Sequence, residues 1–185
     1  LGTGLTDTQL SLLSRYSKNV AFCFDNDQAG QKSILRGVQL ALGLELTPFL
    51  ITLPDDVKDI DELIQKRPDD WKDRAAHPKD FFLVQIAMLR GLIKKDAAQF
   101  EKKLQEALSV LSTAPELKQG IIAKQFAENL GLSEQGILSA IQKTAPPMFI
   151  RDELKQRQGA LSTAEYVLGL VLLFPLSTLL MGKTE

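Results

Sequence analysis

The sequence predicts an α/β unit followed by an all-α helical region, and three observations carry that prediction. Over the first third of the chain, apolar runs of strand length alternate with amphipathic runs of helix length. The connections between them are short, which suits parallel strands joined by a helical crossover. From about residue 79 onward only helical periodicity remains, with no further strand candidate.

The elements follow in order. Thr6 and Gln9 have the spacing of a capping box, and Leu10, Leu13 and Tyr16 recur at helical spacing, so a helix is expected over 7–17. Val20 to Phe24 reads as a strand. A helix over 28–42 carries Ile34, Leu35, Val38 and Leu42 as its apolar stripe and stops at Gly43. Residues 45–52 form a second strand, whose Pro48 belongs near a sheet edge or a strand start. Pro54-Asp55-Asp56 makes a turn, and a short helix covers 60–66. Two strands alone make a poor sheet, so further strands upstream are expected. A helical run led by Phe81 and Phe82 opens the second region, followed by helices over 97–111, 115–129 and 133–143. Ala123 to Lys143 also has a helix-turn-helix pattern, with Gly131 at the turn and Ser133 as cap. Its second helix offers only Lys143 as a cation, so packing is expected there rather than base readout.

Pro146-Pro147 opens a polar linker. The apolar stretch 164–181 falls short of the roughly 20 apolar residues a membrane span needs. Pro175 divides it, which favours a buried helix pair, with no membrane partner, over the alternative of a membrane anchor. The expected organisation is 1–78, 79–145, a linker over 146–160, and a helical segment over 161–185.

Composition narrows the functional classes. A net charge of −1 over 185 residues gives no basic field, so any nucleic-acid contact must be local or metal-mediated. The single cysteine, Cys23, lies within an apolar run; this excludes an internal disulfide and fits the cytoplasm. The lone His77 has no Cys or His partner for a zinc site and is expected on a surface loop. The chain opens on Leu1-Gly2-Thr3 and ends directly after an apolar segment, the pattern of a fragment of a longer protein.

The chemistry concentrates where the first strand stops, in Phe24-Asp25-Asn26-Asp27-Gln28-Ala29-Gly30. Two carboxylates one residue apart at the carboxyl end of a parallel strand occupy the ligand-binding edge of an open α/β sheet. They repel unless a cation or donor intervenes, and magnesium suits a site of one or two carboxylates plus substrate phosphates. Gly30 would let phosphate or backbone come close. Equally, Asp27 is a good helix N-cap and Asp25-Asn26 good turn chemistry. Asp59-Ile60-Asp61-Glu62 repeats the situation after the second strand, where capping is the stronger reading of the pattern. Lys32 and Arg36, one helical turn apart, could meet phosphate or form a solvated face.

Taken together, LGTGLTDTQLSLL, VAFCFDNDQAGQKSILR and LPDDVKDIDELIQK resemble the back half of the Toprim domain of bacterial DnaG-type DNA primases. The resemblance spans about residues 1–66, and the helical remainder resembles the region after Toprim in that family. It implies a partial Toprim unit with a Rossmann-like parallel sheet. It matches the family's metal acids to Asp25 and Asp27, its later acid pair to Asp59 and Asp61, and its glycine-threonine turn to Gly2 and Thr3. Ile60 stands where the family has proline. The family's metal-binding glutamate falls on an earlier strand, before residue 1, and its zinc ribbon is also missing here, so zinc would belong only to that absent N-terminal part.

The resemblance further implies metal-dependent synthesis of short RNA primers, with Mg2+ or Mn2+ as cofactor. Single-stranded DNA template and ribonucleoside triphosphates would be the substrates, and a replicative helicase of the DnaB type the partner. Asp25, Asp27, Asp59 and Asp61 would form the acidic site, while Thr3, Lys32 and Arg36 would contact nucleotide or nucleic acid. A fragment carrying part of a site is expected to be inactive alone. The rivals are another Toprim enzyme, a topoisomerase or nuclease, and a non-catalytic helicase-binding module. Tyr16 and Tyr166 sit in helical patterns and read as structural. The metal reading expects Asp25 and Asp27 to converge with side chains free of helix-cap bonds.

Overall fold

The computed structural model describes residues 5–144, which fall into two compact units, 5–80 and 81–144. The first is α/β. It runs α1 (Asp7–Leu13), β1 (Asn19–Phe22), α2 (Gln28–Gly43), β2 (Thr47–Leu50), α3 (Ile60–Lys66), α4 (Pro68–Ala76) and β3 (Lys79–Asp80). The second unit is all helical, with α5 (Phe81–Leu92), α6 (Ala97–Leu111), α7 (Glu116–Leu130) and α8 (Glu134–Lys143). The predicted class, α/β followed by all-α, holds.

In the first unit the sheet order is β1-β2-β3. β1 and β2 pair in parallel from Asn19↔Thr47 to Phe22↔Leu50, as the short helical crossover demands. β3 adds antiparallel, Phe49 opposite Asp80 and Leu50 opposite Lys79. Successive strand residues face opposite sides, and both sides are covered. Ala21 and Cys23 join Ile51, Leu53, Val57 and Leu63 in one buried cluster, against which Phe49, Ile60, Trp71 and Ala75 pack. On the other side Phe22 lies under α2, close enough that a Cβ on Gly37 would sit 3.0 Å from its ring. Fully burying a side chain of this size contributes about 1.5–3 kcal/mol.

Pro48 occupies the central strand, yet its position obeys the rule for proline. Thr47 and Ile51 aim their N–H groups at Lys18 and Phe22 of the β1 segment, so the nitrogen of Pro48 faces the β3 side. β3 begins pairing only at Phe49, and no ladder bond is lost.

Four local expectations need correction. α1 ends at Leu13, and Tyr16 lies beyond it, 74% exposed and not packed as a helical stripe residue. Ser14 and Ser17 bond nearby backbone there, Ser14 Oγ to the Ser11 carbonyl and Ser17 Oγ to that of Asn19, which competes with helix continuation. α2 includes Gly43, and the left-handed residue that ends it is Glu45, φ 58°. α4 occupies a stretch to which the sequence reading assigns no element. It is built from Pro68 at its start, Asp69 and Asp70 in its first turn and Arg74 in its last. β3 is a strand only because the open edge of β2 receives it; two residues carry no propensity signal of their own.

In the helical unit the packed pairs are α5 with α6 and α7, α7 with α8, and α6 with α8. Phe82 meets Phe81 and Phe126 edge-on, at 5.0 Å and 6.3 Å between ring centres. Ser133 caps α8 as expected, and Ile137 and Ile141 bury its apolar face. The expected linker over 146–160, the segment over 161–185 and Tyr166 lie outside the described residues.

Candidate active site

Because β1 and β2 are parallel, the loops leaving them, 23–27 and 51–59, emerge at the same edge of the sheet. Each loop ends as the cap of a helix. Asp27, in extended conformation, accepts the Gly30 N–H at 2.6 Å through Oδ1 and starts α2. Asp59 accepts the Glu62 N–H at 2.8 Å through Oδ1 and starts α3. Glu62 reaches back to accept the Lys58 N–H at 2.8 Å and pairs with Lys66. The hydrogen bond from Lys66 is the main cause holding the Glu62 carboxyl below its ordinary range, followed by the Lys58 N–H.

The expectation that both Asp25 and Asp27 are free of cap bonds therefore fails for Asp27. It is satisfied by Asp25, which is exposed and makes no hydrogen bond or ion pair among the described residues. The cap bond on Asp27 uses one carboxylate oxygen and leaves Oδ2 without a bond among the described residues. The same holds for Asp59. Asp61 sits exposed in the first turn of α3 and accepts from Gln65 Nε2 at 2.8 Å.

Gly30 resolves the choice between phosphate and backbone in favour of backbone. A Cβ there would lie 2.2 Å from the Asp25 carbonyl oxygen, so only glycine lets the first turn of α2 sit against the strand exit. Beneath, Cys23 is buried, and its thiol is pushed up to about 12, chiefly by burial and secondarily by the charge of Asp25.

Asn26, which the sequence reading takes only as turn chemistry, has a longer reach. Its backbone N–H donates to the Lys58 carbonyl at 2.9 Å, and its Nδ2 donates to the Pro54 and Val57 carbonyls, each at 2.9 Å. One residue between the two acids thus ties the first loop to the second. The available signal was an amide residue inserted in an acidic strand-to-helix connection, and turn chemistry explained it equally well.

Lys32 and Arg36 are exposed on α2, one turn apart. Thr3 and Gly2 lie outside the described residues. Among the described residues no three His, Cys, Asp or Glu side chains are gathered as a metal cage. The donor set fits a hard divalent ion in the narrower sense that exposed carboxylate oxygens are present on one loop. Such an ion would complete its shell with water, substrate or groups outside these residues. A cleft of about 210 Å3, lined by Thr52, Asp70, Asp73, Arg74, His77 and Lys79 among others, contains none of the candidate acids. His77 is exposed at the end of α4, its ring 3.1 Å from the Asp73 carboxylate.

Comparison with known proteins gives this geometry a context. Residues 1–64 match the model of the Toprim-like family. A DNA primase of Thermotoga maritima is 44% identical over 66 residues, 36% of this chain and 12% of that protein. A DNA primase of Clostridium acetobutylicum is 26% identical over 145 residues, 76% of this chain and 24% of that protein. The chain thus spans only a minor part of these relatives' length. Among solved structures, the zinc-binding and RNA polymerase domains of Aquifex aeolicus primase superpose with TM-score 0.61 at 24% identity. That match covers 75% of this chain and 33% of the other. A DnaG primase catalytic domain bound to single-stranded DNA superposes with TM-score 0.54 at 20% identity, covering 74% and 45%.

Proposed function

We propose, starting from the kinship of this chain with bacterial DnaG-type DNA primases, that it supplies the acidic edge of a primer-synthesising site. The reaction is transfer of a ribonucleotide from its triphosphate to a growing RNA primer on a single-stranded DNA template. The 3′ hydroxyl attacks the α-phosphorus, and pyrophosphate leaves.

Asp25 and Asp27 would hold divalent cation, magnesium or manganese, which when bound neutralises the charge developing on the phosphates. The observation that carries this reading is that Asp25 stands exposed and unengaged where the parallel strand exits, beside a second acid loop tied to its own. The cap bond on Asp27 holds one oxygen and so fixes the direction of the other. Asp59 and Asp61, at the start of α3, would act on the same cations directly or through water. Lys32 and Arg36, with Thr3, would meet phosphate. The segment over 161–185 would carry the contact with a replicative helicase of the DnaB type. No described helix is long and apolar enough to cross a membrane, which accords with action in the cytoplasm.

A second reading has its own observation. Helix caps at Asp27 and Asp59 are also what a non-catalytic helicase-binding module would show. Asp25→Asn in the complete protein separates the two. The primase reading expects primer synthesis to fall by at least about 100-fold, since one charge-stabilising group is commonly worth 10²–10³ in rate. Unchanged primer yield in that variant sinks it.

A further inference from the structure

We propose that Asn26 is a positioning residue, a latch that holds the Asp25–Asp27 turn and the loop before α3 in a fixed relation so that the acids of both address one substrate. This rests on the reading of Asp25 and Asp27 as cation-binding groups.

The pattern of bonds distinguishes a latch from a turn former. An Asn that only shapes a turn bonds its own backbone about two residues on. Asn26 sends its donors elsewhere: its Nδ2 reaches carbonyls 28 and 31 positions downstream, and its N–H reaches Lys58. The accepting segment is itself fixed, since the Val57 N–H donates to the Pro54 carbonyl at 3.1 Å and Val57 is buried in the core. Two residues beyond Val57, Asp59 caps α3. The chemistry also selects the side chain. A carboxylate of the same shape cannot donate to two carbonyls, and a lysine or arginine would place a cation between the acids.

The test titrates Mn2+ into the complete protein and its variants, reading bound metal calorimetrically and primer synthesis in parallel. Backbone amide exchange is followed at Lys58 and Glu62. Asn26→Ala removes both side-chain bonds and keeps the backbone one. Asn26→Asp keeps the shape, removes the donors and adds a negative charge. The latch predicts that Mn2+ affinity falls roughly 10- to 100-fold in both variants, the usual scale for residues that orient metal ligands, with faster exchange at the two amides. Excess Mn2+ then recovers part of the primer synthesis.

Wild-type affinity in Asn26→Ala, measured below its melting temperature, overturns the proposal. Tighter binding by Asn26→Asp does so too, because it makes local charge the controlling factor. Should Asn26→Ala be too unstable to measure, Asn26→Asp alone carries the comparison. If Asp25→Asn binds Mn2+ like wild type, the cation reading itself fails, and that result is distinct from a failure of the latch.

Discussion

At the scale of single residues, the acidic edge is set by one missing methyl group. Gly30 is where helix and strand exit approach each other, and Gly30→Ala would press a carbon against the Asp25 carbonyl at 2.2 Å. Overpacking of this kind costs about 1–3 kcal/mol. We expect Gly30→Ala to lower the melting temperature and to displace the Asp25–Asp27 turn, read as weaker Mn2+ binding by the folded protein. Cys23 provides a second test. Burial pushes its thiol up from the ordinary 9.0 to about 12. The raised value means that stability is fully present below pH 9 and is lost as pH rises toward 12. Denaturant midpoints should fall over that window, and fall less in Cys23→Ala, which lacks the thiol while lysines and tyrosines still titrate there; below it, iodoacetamide should label Cys23 only as the protein unfolds. The two residues also show where sequence was informative. That Gly30 admits a close neighbour follows from its place at a helix start, but which neighbour depends on how the loop folds. Asn26 was illegible for a related reason: its three acceptors are 28 or more positions away, and no local pattern names them.

At the scale of elements, helix ends give the sharpest contrast. α7 closes with Gly131 at φ 68°, and the Leu132 N–H returns to the Ala127 carbonyl. α2 closes in the same geometry, with Glu45 N–H to Leu42 and Leu46 N–H to Ala41, but the left-handed position is Glu45 at φ 58°. The reversal places Leu46 in the core. Opposite substitutions should have opposite signs. Gly131→Ala is expected to destabilise by about 1 kcal/mol and Glu45→Gly to stabilise by up to about 1 kcal/mol, both by chemical denaturation. Gly43 drew the predicted stop because glycine is the usual residue there; the fold placed the reversal two residues later because Leu46 must be buried. Periodicity alone located α6 to the residue, since its apolar stripe is long and Asp96 caps it. It could not locate β3, two residues whose strand character comes wholly from Phe49 and Leu50 opposite.

At the scale of the whole molecule, the proposed cation site would rest on order already present in the loops. The two acid loops are capped and tied, so a cation held there as proposed should bind without large rearrangement and stabilise the folded state by mass action. In the complete protein, saturating Mn2+ at 100 times its dissociation constant is expected to add about 2.7 kcal/mol to unfolding, visible as a concentration-dependent rise in melting temperature. Asp25→Asn should abolish that rise, and a rise of equal size in the variant would place the ion elsewhere. The class of the fold was legible because strand-length apolar runs alternate with amphipathic helical runs up to about residue 79, and only helical periodicity follows. The free or capped state of each acid was not, since Asp at a strand exit serves either role with the same spacing.

The sheet order has a consequence for handling this polypeptide. β1 is terminal, with β2 as its single neighbour among the described residues, and Val20, Ala21 and Phe22 are apolar toward both faces. Each of the three is only 1% exposed, so the amides and carbonyls on that border are shielded from solvent, and no charge, proline or bulge is needed to guard it. A lysine at Ala21 should therefore unsettle the packing rather than improve solubility, read as a lower denaturation midpoint.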